Sequence, residues 1–311
     1  MNKKLTIVMP HLNEEREPLE TIKSIYETSD RDLIEIIAID DCSENPIDLS
    51  EFSEVRRARN ETRIGVDGSR QKGIDLAEAD NILVIDSHMR FKKDNWASKM
   101  INLIDSNPQT LWTTTCLGLG YGTTDINNHK GKYYGADMLF VNKDAVPNRP
   151  SRECLEPKWS KEKEGQEYDV QCILGANYFF SKKWFDYIGG LKGLRDWGTS
   201  EPYLSLKSYM AGGNCKLTKD IEIGHLFRSN APYTTYVSSL VFNKIFMCKT
   251  IFPDDLTEKL IGYLPQNSNF KKAVEMIEQN TDEIKEAREY YQSIFTSSIY
   301  DYCNHFGINL P

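Results

Sequence analysis

Asn81-Ile82-Leu83-Val84-Ile85-Asp86-Ser87-His88-Met89-Arg90 is the stretch that decides the fold. Four apolar residues in succession, Ile82 to Ile85, suit a strand buried on both faces, and the run stops at a carboxylate. In extended backbone, side chains two residues apart project to the same side. Asp86 and His88 therefore offer one oxygen and one ring nitrogen to a single point. Two such ligands leave most positions of an octahedral ion open to waters and phosphate oxygens, which suits a hard or borderline cation such as Mn2+ or Mg2+. An isolated Asp-x-His is more often a polar strand end with a structural histidine, so the pattern needs support from the rest of the chain.

Upstream, Leu5-Thr6-Ile7-Val8-Met9 reads as a first buried strand, broken by Pro10. Pro18 belongs in the first turn of a helix starting near Glu17, with Leu19, Ile22 and Ile25 on one face. Leu33 to Ile39 is a second strand that ends in Asp40-Asp41; a third lies around Val55, and Gly65 to Ala79 is a helix leading into the central strand. This βαβαβ beginning predicts an α/β fold with a mostly parallel sheet and helices on both faces, with ligands bound beyond the carboxyl ends of the strands. Asp41, Asp86 and His88 fall on that rim. A dinucleotide-binding domain competes, but Pro10-His11-Leu12-Asn13-Glu14-Glu15 stands where its glycine-rich turn belongs. A metal that bridges phosphates reverses the local electrostatics and reconciles those acids with a nucleotide.

Downstream, Asp94 to Ser106 reads as a helix capped by Asp94, Leu111 to Cys116 as a strand, and Leu117 to Gly135 as a loop of the kind that binds acceptors. Tyr133 to Val141 and Cys172 to Phe180 are strand-like, with a polar segment, Pro147 to Asp169, long enough for a mobile lid. Helices follow at Lys182 to Ile188 and Glu201 to Ala211, the second stopped by Gly212-Gly213. Ile221 to Arg228 is a strand ending in His225 and Arg228; the first can complete a metal site, and the fork of the second can reach diphosphate oxygens. From Thr234 the pattern is helical, including one helix from Asp282 to about Asn304, and this tail shows no chemistry. The division drawn is a catalytic domain over 1–233 and a helical extension over 234–311.

Composition bounds the possibilities. The chain has 311 residues, 40% hydrophobic and 27% charged, enough for a large core and with no sign of disorder. A net charge of -8 argues against indiscriminate polyanion binding. The N-terminal run before Pro10 is too short for a signal peptide or membrane anchor, so a cytoplasmic location, bacterial or in the host of a phage, is expected. Seven scattered cysteines, never spaced Cys-x-x-Cys, fit reduced thiols.

Taken together, these clusters resemble the catalytic domain of polypeptide N-acetylgalactosaminyltransferases, retaining enzymes of the glycosyltransferase-A (GT-A) fold, and more distantly bacterial family-two transferases. The resemblance runs from Leu5 to Tyr233 on Leu12-Asn13-Glu14-Glu15, Ile39-Asp40-Asp41-x-Ser43, Arg63-x-Gly65 before Ser69-Arg70, Asp86-Ser87-His88, Trp197-Gly198, and Gly224-His225-Leu226-Phe227-Arg228 with Pro232-Tyr233. It implies Asp86, His88 and His225 as Mn2+ (or Mg2+) ligands, and a UDP-sugar held by Pro10, Asp41, Arg63, Asp86, Ser87, Arg228 and Tyr233. Trp197 would line the sugar pocket, and Arg228 would stabilise the leaving diphosphate. Where the family places a glutamate directly after Trp-Gly-Gly, this chain has Ser200, with the carboxylate one position on at Glu201. The sugar donor can therefore differ from the family's.

The expected activity is metal-dependent transfer of a sugar from a UDP-sugar to a hydroxyl, with retention by same-face attack. Two acceptor classes follow: a protein or glycan, or a hydroxymethylated pyrimidine in DNA, since some phage enzymes acting on such bases are similar to this family. Lys130, Lys132, Arg149 and Arg152 are candidates for a basic groove serving the second. The alternative outside catalysis is a nucleotide-sugar-binding relative in which Ser200 marks lost turnover.

Overall fold

The computed structural model describes residues 3–123, 125–142 and 153–311. Arg149 and Arg152 of the expected basic groove lie outside the described residues. The first half alternates strands and helices: β1 (Leu5–His11), α1 (Glu17–Thr28), β2 (Ile34–Asp40), β3 (Arg56–Arg59), α2 (Gly65–Leu76) and β4 (Asn81–Ile85). β1 pairs in parallel with β2 on one side and β4 on the other, and β2 with β3, so the C-terminal tips of all four strands open on one rim. Every residue of β1 and β4 is buried, in keeping with their largely apolar sequences.

Pro10 does not break β1. The strand runs on through Pro10, paired with Ile39, to His11, paired with Asp40. Pairing with β4 ends at Val8, so the missing N–H of Pro10 falls on the side where no ladder bond is needed.

After β4 come β5 (Met89–Phe91), α3 (Trp96–Ser106), β6 (Thr110–Gly120), β7 (Gly131–Tyr133), β8 (Ala136–Val141), β9 (Cys154–Trp159), β10 (Glu167–Asp169), β11 (Asn177–Ser181), α4 (Lys182–Tyr187), α5 (Ser200–Met210) and β12 (Asn214–Phe227). The main sheet follows the order β10-β12-β6-β11-β4-β1-β2-β3, with β5 on β12 and β7 on β6. β11 runs antiparallel to β4, while β12 and β6 are parallel to each other.

Several expectations shift here. The residue at the start of α3 is Asn95 in a left-handed conformation (φ 60°) with no side-chain cap, rather than Asp94. Part of the expected acceptor loop is strand, since β6 continues to Gly120 and β7 pairs back on it. Within 147–169, the described part carries β9, paired with β8, and β10, paired with β12, in place of a free lid. β12 starts at Asn214 rather than Ile221; its first half is too polar to stand out, because it lies near the sheet edge beside β10.

The C-terminal part forms α6 (Val237–Ile251), α7 (Asp254–Gly262), α8 (Ser268–Gln279), α9 (Thr281–Ile294) and α10 (Ile299–Phe306). The single helix expected from Asp282 is two, with a capping box at Ser298 starting the second. These helices share one hydrophobic cluster with the sheet: Val241, Phe242, Ile245 and Phe246 of α6 pack with Tyr178 and Phe180 of β11 and Tyr203 and Leu206 of α5. All seven cysteines are free. No helix of the described residues is long and apolar enough to cross a membrane.

Candidate functional site

A cleft of about 540 Å³ opens at the C-terminal rim of the sheet, within the usual size of a small-ligand site. Its floor is the turn between β4 and β5. Thr21 of α1 pins that turn, its hydroxyl donating to Ser87 O (2.9 Å) and accepting from Met89 N (2.9 Å), while Arg90 Nη2 donates to Glu17 Oε2 of the same helix (2.7 Å). β12 pairs antiparallel with β5, His225 opposite Met89, and Leu226 N donates to His88 O (3.1 Å). That register brings together two histidines 137 residues apart in sequence.

Asp86, His88 and His225 each offer a ligand atom, all within 4.8 Å of one another. The two Nε2 atoms lie 3.1 Å apart, and His225 Nε2 is 3.3 Å from Asp86 Oδ2. An octahedral ion with bonds of about 2.0–2.2 Å sets neighbouring ligands roughly 3 Å apart, so this donor set of one oxygen and two nitrogens fits such an ion. His225 Nδ1 is buried without a hydrogen-bond partner among the described residues. Burial, partly opposed by the Asp86 charge, lowers His88 to about 3, leaving a neutral imidazole with a lone pair to give. Burial alone would raise Asp86, but the His225 ring against it and the charge of Arg70 outweigh it and hold the carboxylate ionised.

Arg228 lies beside this cluster, and its fork is engaged by a partner that sequence reading passed over. Nη1 and Nη2 donate to the Glu14 carboxylate at 2.7 and 2.8 Å, and Nη2 lies 3.1 Å from His88 Nδ1. A guanidinium only donates, so Nδ1 accepts and the imidazole proton sits on Nε2. Glu14 Oε1 is itself 3.8 Å from His88 Nδ1. Glu14 was visible in the sequence only as one acid of the Asn13-Glu14-Glu15 turn.

Arg70, quoted above only as part of Ser69-Arg70, is a second omission. Its Nη2 donates to Asp86 Oδ1 (3.1 Å) and Gly175 O (3.0 Å), while Nη1 lies 3.6 Å from Glu201 Oε1. One buried guanidinium thus links a cluster carboxylate to Glu201, which lines the cleft in the first turn of α5. Behind it, Asp67 is pushed up to about 7 by burial, against the pull of the Arg70 charge.

The other expected residues separate by role. Pro10, Ser87, Trp197 and Tyr233 line the cleft, Trp197 with 40% of its surface exposed. Arg63 lines it too, pairing with Asp196 (2.7 Å) and lying 5.7 Å from the Tyr233 ring. Asp41 also borders the cleft, but its oxygens accept from Ile64 N, Gly65 N and Asn60 Nδ2 at 2.8–2.9 Å, so the carboxylate holds the start of α2. At the mouth, Trp159 and Phe227 meet edge to face, centroids 6.1 Å apart, and both stay over a third exposed. The tail is not remote from this site: Leu240 and Lys244 of α6 line the cleft. Of the expected basic groove, Lys132 is paired with Glu222 (2.5 Å), which also takes Lys92.

The family model for glycosyl transferase family 2 matches residues 6–188. Among curated proteins, polypeptide N-acetylgalactosaminyltransferase 16 of Homo sapiens is 26% identical over 241 residues, 73% of this chain and 41% of that protein. Polypeptide N-acetylgalactosaminyltransferase 10 of Homo sapiens is 24% identical over 273 residues, 84% of this chain and 44% of that protein. The chain thus spans about two-fifths of the length of the curated relatives it matches. A crystal structure of GalNAc-T7 with UDP, GalNAc and Mn2+ matches 98% of this chain and 56% of its own with a TM-score of 0.71 at 17% identity. S. aureus TarS 1-349 in complex with UDP-GlcNAc matches 99% of this chain and 93% of its own at TM-score 0.56 and 11% identity. The fold is GT-A.

Proposed function

Since the chain belongs to glycosyl transferase family 2, we propose that it transfers a sugar from a UDP-sugar to an acceptor hydroxyl, using a divalent cation, Mn2+ or Mg2+, held by Asp86, His88 and His225. The convergence of those three side chains on one point of the cleft is the observation that carries the reading. GalNAc-T7 was crystallised with UDP and Mn2+, and TarS with UDP-GlcNAc, which supports the nucleotide.

In this reading the bound cation supplies Lewis-acid stabilisation of the charge that builds on the leaving diphosphate. This chain's own residues do the rest. Arg228 adds a fixed positive charge beside the cation-binding cluster, where that diphosphate would lie. Arg63 and the main chain at Pro10 border the nucleotide end, with Tyr233 beside them. Trp197 walls the sugar, and Glu201, tied to Asp86 through Arg70, addresses its hydroxyls. A double displacement would need a carboxylate free to attack the anomeric carbon. Glu201 is instead held against a guanidinium, so we favour same-face attack with retention, a diphosphate oxygen taking the acceptor proton.

The acceptor we propose is a hydroxyl on a protein or glycan, reaching the sugar past the exposed Trp159 and Phe227 rings at the mouth. Of the four candidates for a basic groove, Arg149 and Arg152 lie outside the described residues and Lys132 is engaged by Glu222, which weighs against the nucleic-acid alternative.

UDP release tests the reading, measured across several UDP-sugars with Mn2+ and with a chelator, and with peptide, glycan and hydroxymethylated DNA as acceptors. Release that needs Mn2+ and disappears in His225→Ala is expected. Release without metal, or near-normal turnover in that variant, refutes the assignment of the three ligands. UDP-sugar binding with no release would identify a non-catalytic relative.

A further inference from the structure

Between Arg195 and Ser200 the chain follows a path that few sequences adopt. Asp196 (φ 52°), Gly198 (φ 97°) and Thr199 (φ 76°) all have left-handed backbone, and for the two that are not glycine this costs about 1–2 kcal/mol each. Such a path persists only when its surroundings over-determine it. The segment supplies Trp197 to the cleft and launches α5, whose first turn carries Glu201. Among the described residues no side chain caps that helix, and the Thr199 hydroxyl has no hydrogen-bond partner.

The path is held from two sides: Asp196 pairs with Arg63 (2.7 Å) and bridges Gly65, and α6 holds both ends of the turn. The Asn243 side chain is fully buried, and its Oδ1 accepts from Arg195 N at 2.7 Å. Its Nδ2 faces three carbonyls, donating to Arg195 O (2.8 Å) and Gly198 O (2.8 Å) with Trp197 O at 3.4 Å. A single carboxamide thus spans both ends of the turn. Neighbours on the same helix close around it: a methyl on Gly198 would lie 2.5 Å from Leu240, and one on Gly193 2.0 Å from the Phe246 ring. Arg195 is tied further to Glu283 at the start of α9 (2.6 Å).

We propose that Asn243 is a positioning residue: its carboxamide fixes the left-handed turn at residues 195–199 and so sets where Trp197 and Glu201 stand in the cleft. The catalytic part of this inference rests on the transferase reading; the structural part does not. The turn also reaches the nucleotide end, because Asp196 pairs with Arg63 (2.7 Å) and bridges Gly65, whereas Pro10 and Asp41 stand at the tips of β1 and β2. Loss of the carboxamide therefore acts most strongly on Trp197 and Glu201 and reaches the nucleotide only through Arg63.

The experiment compares wild type with Asn243→Ala and Asn243→Ser, the second keeping a polar group in the buried place. Three quantities are read: UDP affinity by calorimetry, backbone amide exchange by peptide, and UDP-sugar turnover. Expected are UDP affinity lowered by less than tenfold, faster exchange centred on peptides covering 195–203 and reaching no further than the 63–65 segment that Asp196 contacts, and turnover lower on the order of 10²-fold, as misplaced groups lose rate. Unchanged exchange in 195–203 overturns the proposal. So does exchange that rises throughout the chain, or loss of UDP binding in both variants, since either marks a general structural role. If the wild type binds UDP but turns over no UDP-sugar, the transferase reading fails while the exchange result still decides the role of Asn243.

Discussion

Glu14→Gln separates the two partners that share this carboxylate. Arg228 now holds both oxygens, at 2.7 and 2.8 Å, and lies against His88 Nδ1 at 3.1 Å. A cation taken up by His88 Nε2 requires the other tautomer, with the proton on Nδ1. Arg228 cannot accept that proton; Glu14 Oε1, 3.8 Å away, can. In the proposed metal-bound protein the carboxylate would close on Nδ1 as the acceptor behind His88, a partner whose loss typically lowers metal affinity about 10–100-fold, or roughly 1.4–2.8 kcal/mol. Glutamine keeps the shape but loses the charge, and it turns an N–H group toward either Arg228 or His88. Mn2+ titrations by calorimetry, checked by paramagnetic resonance of the free ion, should show weakening in that range. Arg228→Gln should behave oppositely, leaving Mn2+ affinity unchanged or tighter while weakening UDP, because it removes a positive charge and the donor that occupies Nδ1. Mn2+ affinity within twofold of wild type in a folded Glu14→Gln protein would refute the argument.

Two further substitutions test the scaffold. Gly65 has φ 85°, and a methyl there would lie 2.2 Å from the Asp196 backbone, whereas Gly122 (φ 78°) has open space. Gly65→Ala should therefore cost on the order of 3 kcal/mol or more and Gly122→Ala only the 1–2 kcal/mol of conformational strain, a difference that thermal melting would reveal or deny. Lys207 is fully buried, its Nζ donating to Gly190 O at 2.5 Å, and burial drives its pKa well below 10.5. The unfolded chain then binds a proton that the folded chain does not, so between the lowered native value and 10.5 this residue makes stability rise with pH. Lys207→Met should stabilise the protein more at pH 6 than at pH 9 relative to wild type; urea midpoints showing an equal change at both would sink the assignment.

The parts of this molecule that could be read from its sequence are those in which one local pattern has one structural meaning. β1, β2 and β4 are largely apolar runs of strand length ending in polar residues, the pattern of strands in a covered sheet, and the rim and the Asp86-x-His88 pair follow from it. The parts that could not be read are relations between side chains that look ordinary alone. Glu14 and Arg228 are 214 residues apart, and an acid in a turn carries no mark of the guanidinium it will meet. Asn243 shows the limit most clearly. α6 is buried almost all round, so its sequence asks only for a covered helix, and a lone asparagine there reads as a polar interruption. Its reason lies in the carbonyls of a turn 45 to 48 residues earlier. A boundary drawn at residue 233 by the change from mixed to helical pattern follows composition. The hydrogen bonds of the cleft cross it, because a left-handed turn must be held from outside itself, and the helix that follows the sheet supplies a donor to both of its ends and an acceptor to one.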